Sequence, residues 1–130
     1  MKDTDLAWAA GITDGEGSIR KHINTKTGYH LLCFSVSQAE DEGTPEMLLR
    51  LQKIFKVGAI YGPMGNKSNR RSMYEYRASG KAALKIVNLI WPYLGNVKRR
   101  QAINTGLVVE IKAEQSGPDR AVYLQGSTLS

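Results

Sequence analysis

Twice along this chain a pair of segments with strand periodicity, joined by a turn, is followed by a segment with helical periodicity, and that recurrence restricts the fold more than any other feature. Residues 18–23 and 29–38 flank Asn24-Thr25-Lys26-Thr27-Gly28, polar residues closed by a glycine, as a hairpin loop requires. In the first run Arg20, His22 and Asn24 share one face while Ile19 and Ile23 take the other. In the second, Leu32, Phe34 and Val36 alternate with Cys33, Ser35 and Ser37. Residues 57–61 and 72–78 repeat the pattern around a loop over 62–70, with Tyr74 and Tyr76 on one side and Arg71, Met73, Glu75 and Arg77 on the other. Each hairpin therefore has one face suited to burial and one that is polar and rich in arginine.

The helical segments complete the outline. Residues 6–14 follow Thr4, an N-cap residue, and are full of small side chains: Ala7, Ala9, Ala10 and Gly11. Gly11 lowers helix propensity by about 1 kcal/mol relative to alanine, which suits a position that another backbone approaches closely. Thr44, Pro45 and Glu46 open a second helix with Met47, Leu48, Leu51, Ile54 and Phe55 at helical spacing and Gly58 beyond its end. Ser79 caps a third, with Ala83, Leu84, Val87 and Ile90 inward and Pro92 as its stop. Lys98 or Arg99 opens a fourth that carries Ile103, Leu107, Val108 and Ile111. The order α-ββ-α-ββ-α-α predicts an α+β domain over residues 1–114, a curved antiparallel sheet with the helices on one face and a polar, positive face left free. Residues 115–130 open on Gln115-Ser116-Gly117-Pro118-Asp119 and are expected to form a C-terminal tail or appendage. A seven-residue strand spans roughly 23 Å, so the free face could follow several base pairs in a DNA major groove.

Composition narrows the function. The 130 residues carry 18 Lys+Arg against 12 Asp+Glu, a net charge of +6, and the 42% apolar content supports a packed core. A folded basic domain of this size points first to an anionic partner, nucleic acid above all. One cysteine, Cys33, and two histidines, His22 and His30, exclude zinc ribbons, Cys2His2 fingers and disulfide scaffolds. No apolar run approaches the roughly 18 residues of a membrane span, and Met1-Lys2-Asp3-Thr4-Asp5 is too acidic to open a secretion signal. The expectation is an intracellular protein without a membrane partner. Gly15-Glu16-Gly17 begins like a dinucleotide fingerprint but has Arg20 where its third glycine belongs, and Gly65-Asn66-Lys67-Ser68 lacks the glycine that precedes a phosphate-loop lysine.

The chemistry concentrates at the end of the first helix. Asp14 and Glu16 stand where the helix dipole places about half a negative charge, so each is unfavourable by several tenths of a kcal/mol unless something positive is set against it. Unpaired carbonyls together with a carboxylate form a hard, oxygen-rich donor set suited to Mg2+. Spacing alone also fits a solvated helix end. Likewise, Lys98-Arg99-Arg100 fits either a solvated first turn or a phosphate contact.

The stretch Ala9-Ala10-Gly11-Ile12-Thr13-Asp14-Gly15-Glu16-Gly17, followed by Ser18-Ile19, resembles the signature of the LAGLIDADG homing endonucleases, a small-residue helix ended by an acid between two glycines. The element order, Phe34-Ser35-Val36-Ser37-Gln38 at the end of a strand, and Pro92-Tyr93-Leu94 followed by Lys98-Arg99-Arg100-Gln101 extend the resemblance from about residue 6 to residue 113. The resemblance implies that Glu16 binds metal with the main-chain carbonyl of Gly15, that Gln38 places water, and that Lys98 stands close to the reacting phosphate. It implies that Ala7, Ala10 and Gly11 lie in a helix pair joining two copies, and that Arg20, His22, Asn24, Lys26, Ser35, Arg71, Glu75 and Arg77 face the DNA groove. The function so implied is a site-specific, intron-encoded, Mg2+-dependent double-strand DNA endonuclease. A single motif supplies a single acid, so a homodimer and a pseudo-palindromic target follow. The alternative is a non-cleaving DNA-binding regulator or intron-RNA splicing cofactor on the same fold. The chain departs from the family pattern at Ala9, where leucine is usual, at Thr13, at the glutamate in place of aspartate, and at Glu40-Asp41-Glu42, where relatives often have a basic residue.

Overall fold

A computed structural model describes residues 2–65, 72–111 and 120–123. The two hairpins and the first three helices form where their periodicities place them, with β3 extending to Met64 into the expected loop: α1 (Asp3–Glu16), β1 (Gly17–Ile23), β2 (His30–Ala39), α2 (Glu46–Phe55), β3 (Ala59–Met64), β4 (Met73–Ser79) and α3 (Lys81–Ile90), followed by a 3-10 turn over Trp91–Tyr93 and by α4 (Asn96–Asn104). The hairpins join edge to edge into one antiparallel sheet of order β1-β2-β4-β3, so the second strand of each hairpin is central. No helix among the described residues is long and apolar enough to cross a membrane.

The pleat sorts the side chains. Leu32, Phe34 and Val36 of β2 and Tyr76 of β4 are fully buried under the helices, with Leu48, Leu51 and Phe55 of α2 and Ile86, Val87 and Ile90 of α3. Phe34 meets both Phe55 and Tyr76 edge-on, with ring centroids 6.1 and 6.2 Å apart, a geometry the ring quadrupoles favour. Tyr76 Oη donates to the Val57 carbonyl, and burial pushes its phenol above the ordinary value. Gly58 follows from that bond: its φ is +84°, and a Cβ there would come within 2.8 Å of Tyr76 Oη. The glycine thus serves the buried tyrosine, while α2 ends earlier, at Lys56 in the left-handed region.

Several element bounds differ from the sequence expectation. Helix α1 is capped at Lys2, with Thr4 inside its first turn, and α3 is capped by Gly80 at φ +63°, Ser79 being the last residue of β4. Ile23 is 48% exposed because the β1–β2 hairpin runs past the edge of the helices. The largest correction is α4, which stops at Asn104. Thr105 Oγ1 donates to the Ala102 carbonyl and accepts the Leu107 amide, and Gly106 turns at φ +78°. Beyond that turn residues 108–111 form β5, paired with β6 (Arg120–Tyr123). Ile103 and Ile111, expected inward on one long helix, are each 39% exposed, while Ala102, Leu107 and Val108 are buried. Ala121 of β6, from the stretch expected as an appendage, is fully buried.

Gly58→Ala should lower stability by roughly 2 kcal/mol or more, since it adds a left-handed penalty to a collision with a ring that cannot move. Urea unfolding of the two proteins measures this, and an unchanged midpoint would show that Tyr76 is not held as described.

Candidate active site and nucleic-acid interface

Acids in the first turn of α1, Asp3 and Asp5, suit the positive end of its dipole, but its last turn has no base and ends in Asp14, Gly15 and Glu16. The compensating positive group is the start of another helix. The Gly95 N–H donates to both carboxylate oxygens of Asp14, at 3.1 and 3.2 Å, and Gly95 is the N-cap of α4. Two residues on, Glu16 is exposed and makes no hydrogen bond or ion pair among the described residues. Thr13, where the motif has an aliphatic residue, is fully buried, and its hydroxyl donates to the Ala9 carbonyl at 2.8 Å. Gly17 is required by the exit from α1, since a Cβ there would lie 2.8 Å from the Thr13 oxygen.

The sheet register places the neighbours. Gly17 pairs with Val36, so Gln38, two residues further along β2, lies beside the C-terminal end of α1; it is partly buried and paired with Tyr74. Lys98, partly buried, stands in the first turn of α4, the helix whose N-cap Asp14 holds. Glu16, Gln38 and Lys98 thus come from three elements that converge on the end of α1. Arg99 turns elsewhere. Its guanidinium stacks over the fully buried Trp91 ring and donates to the Trp91 carbonyl at 2.7 Å and to Glu110 at 3.1 Å. Trp91 Nε1 donates to the same carboxylate at 2.6 Å, so the middle residue of the basic run is committed to packing.

Among the described residues no three metal-ligating side chains cluster. What the protomer offers is one carboxylate, Glu16, with the carbonyls that a helix end leaves unpaired. All are hard oxygen donors, fitting Mg2+ in kind.

The sheet face away from the helices carries Arg20, His22, Ser35, Glu75 and Arg77. Arg20 Nη1 donates to Ser35 Oγ at 2.9 Å, and Ser35 is only 5% exposed, so it orients the arginine. Arg77 Nε donates to Glu75 Oε1 at 2.7 Å, the Arg77 guanidinium lies 4.9 Å over the Tyr61 ring, and Ser37 Oγ adds a long bond to Glu75 at 3.5 Å. Asn24 shapes the hairpin loop, its Oδ1 accepting the Lys26 and Thr27 amides at 2.9 and 3.3 Å, and Lys26 is exposed at the tip. Arg71 lies outside the described residues. Burial pushes the Cys33 thiol up, while Arg20 and Arg77 pull it down. Tyr61 reaches this face by pairing with Glu75, and alternation along β3 could have found it. Of the three residues expected at a helix pair, Ala7 and Gly11 are exposed on one stripe of α1, whereas Ala10 is fully buried in the protomer. Glu40 has structural work: its amide donates to the Ser72 carbonyl at 2.8 Å and its carboxylate accepts the Ser72 amide at 3.4 Å.

No family model matches the sequence, and no curated protein matches it. Solved structures do. The homing endonuclease I-CvuI, in complex with the I-CreI target in the presence of Mg and with its DNA not cleaved, matches at TM-score 0.62 and 25% identity over 80% of this chain and 65% of that one. The I-SmaMI LAGLIDADG homing endonuclease bound to cleaved DNA matches at TM-score 0.54 and 27% identity over 71% of this chain. The chain has the fold of the LAGLIDADG homing endonucleases. The LAGLIDADG meganuclease I-CpaMI, bound to uncleaved DNA, adds a TM-score of 0.57 at 23% identity over 77% of this chain. The chain spans 65% of I-CvuI, 33% of I-CpaMI and 30% of I-SmaMI.

Because burial raises the Cys33 thiol above its ordinary 9.0, the unfolded chain ionises first, and the thiol's contribution to stability is whole below that value and declines as pH climbs past it. A disulfide reagent at pH 8 should label Cys33 at least about tenfold more slowly in the native protein than in urea. Equal rates would place the thiol at the surface.

Proposed function

We propose that this chain is a homodimeric, Mg2+-dependent, site-specific endonuclease of double-stranded DNA, carried within an intron and acting inside the cell. The observation that carries the reading is the end of α1, where Glu16 is exposed and unpaired among the described residues, on a helix that packs against β2, which bears Gln38, and α4, which bears Lys98. I-CvuI and I-SmaMI, which share the fold, were crystallised on DNA. Residues 1–114 are the catalytic unit in this reading, with β6 from the following stretch packed onto it through Ala121.

Glu16 and the Gly15 carbonyl would hold the metal. Bound there, Mg2+ supplies Lewis-acid activation of water and neutralises charge at the leaving oxygen. The remaining work falls to the chain: the Gln38 amide orients water, and the Lys98 ammonium, a mobile point charge, stabilises the phosphate as negative charge builds. Arg20, His22, Asn24, Lys26, Arg71, Glu75 and Arg77 meet the groove. Arg20 and Arg77 arrive already oriented by Ser35 and Glu75, which lowers the side-chain entropy lost on binding.

Cutting both strands needs two acids, and a second copy supplies the other. Side chains at Gly11 and Gly15 would meet nothing within 4 Å in the protomer, yet each glycine costs the helix about 1 kcal/mol. A partner helix packed against Ala7, Gly11 and Gly15 accounts for both, and a two-fold pair of such helices reads a pseudo-palindrome. A non-cleaving DNA- or RNA-binding role is favoured by one observation, the acidic turn Glu40-Asp41-Glu42 that begins two residues after Gln38.

Selection of cut ends from a randomised DNA library, with Mg2+ and with EDTA, tests the proposal. One long, near-palindromic site recovered only with Mg2+ is expected; specific binding without cutting would establish the non-cleaving reading instead. Glu16→Gln should slow cutting by at least about 100-fold and leave DNA affinity unchanged. A parallel loss of binding would remove Glu16 from the metal role. Gly11→Glu, which places like charges across the pair, should convert dimer to monomer by sedimentation while leaving the protomer folded; an unaltered dimer would move the interface off α1.

A further inference from the structure

We infer that Asp14 is a positioning residue, which acts by fixing the helix that bears Lys98 against the helix end that bears Glu16. The inference rests on the endonuclease reading and deepens it. Asp14 and Glu16 share the last turn of α1 but do different things: the first is spent on protein, the second is not. The two Asp14 oxygens lie 3.1 and 3.2 Å from the amide of a residue 81 positions away, and a Cβ on Gly95 would sit 3.1 Å from the same carboxylate. Carboxylate and backbone are therefore in direct contact, with no room for water between them.

Gly95 begins the helical hydrogen bonding of α4, its carbonyl accepting the Arg99 amide at 3.0 Å. Asp14 thus grips α4 at its N-cap, three positions before Lys98. Arg99 grips the same turn from the other side through the Trp91 carbonyl and Glu110. Neither grip uses Lys98 or Glu16. The carboxylate also offsets an unfavourable arrangement, since Lys98, Arg99 and Arg100 all lie toward the positive end of the α4 dipole. Without Asp14 that end would move away from α1 and take Lys98 with it. A shift of about 1 Å between reacting groups is enough to cost up to a hundredfold in rate.

The test is a double-mutant cycle. Asp14→Ala, Asp14→Asn and Lys98→Ala, with each pair combined, are assayed for single-turnover cleavage of the selected site, for DNA affinity in EDTA, and for thermal midpoint, at a temperature where every variant is folded. Asp14→Ala is expected to slow cutting about tenfold or more, to leave affinity within about twofold, and to add less than about twofold to the loss in Lys98→Ala. Asp14→Asn, which keeps an oxygen for the Gly95 amide, should recover most of the rate. The same proportional loss on both backgrounds would overturn the role through Lys98. Asparagine as inactive as alanine would show that the bond to the Gly95 amide is not what matters and overturn it also. If Lys98→Ala has no measurable rate, the split between rate and affinity and the asparagine recovery decide alone. Absence of cutting by the wild type overturns the endonuclease reading and the inference with it, whereas wild-type cutting with additive losses overturns the inference only.

Discussion

A strand that is apolar on one face and charged on the other has its register fixed by both, and β2 and β4 are such strands side by side. Ser35 pairs with Arg77, and Phe34 with Ala78; a slip of one residue would carry Phe34 and Tyr76 to the solvent face and Arg77 beneath the helices. The phenylalanine and tyrosine rings are wedged with Phe55, and that packing leaves only one register open. The same register orders the charged face, because the rows that bring Ser35 to Arg77 and Ser37 to Glu75 are the ladder itself. It also sets the end of α1, since Gly17 opposite Val36 brings Gln38 alongside. Core, charged face and candidate active site are three consequences of one pairing.

The parts of this arrangement that depend on local periodicity were legible in the sequence. Period-two runs at 18–23, 29–38 and 72–78 gave the sheet and its faces, and the apolar spacing of α2 gave that helix almost to the residue. What failed was periodicity read across a stop. Ile103, Leu107 and Ile111 keep a helical spacing by coincidence, while Thr105-Gly106 has the hydroxyl and the left-handed residue that end α4. Charge runs misled for a different reason. Lys98-Arg99-Arg100 is uniform as text, but successive helical residues point about 100° apart, so Arg99 packs over Trp91 while Lys98 points elsewhere and is only partly buried.

Helix α1 shows a third limit. Small residues run all round it, so composition does not say which stripe faces the core, and Ala10 and Gly11 divide between inside and outside. Electrostatics gave a partial answer at its end. The demand for something positive beside Asp14 was correct, but the group that met it is a backbone amide and a helix dipole contributed from 81 residues away. No side-chain pattern marks a backbone donor, and so the residue most closely tied to the site was the one whose partner could not be read.

The end of α1 finally shows how a stable protomer can leave one acid unused. Every acid whose charge would strain the fold has a donor at hand: Asp14 the α4 N-terminus, Glu40 the Ser72 amide, Glu75 its arginine, Glu110 Trp91 and Arg99. Glu16 is left out of that accounting at no structural cost, because it is exposed and water solvates it. An acid so placed contributes little to folding and is available to a ligand. On the proposed reading each chain supplies one such acid, and a cation would gain further oxygen donors where two of these helix ends meet. In that reading two-fold pairing through the small-residue stripe of α1 would bring them together, since the stripe and the acid lie on the same helix.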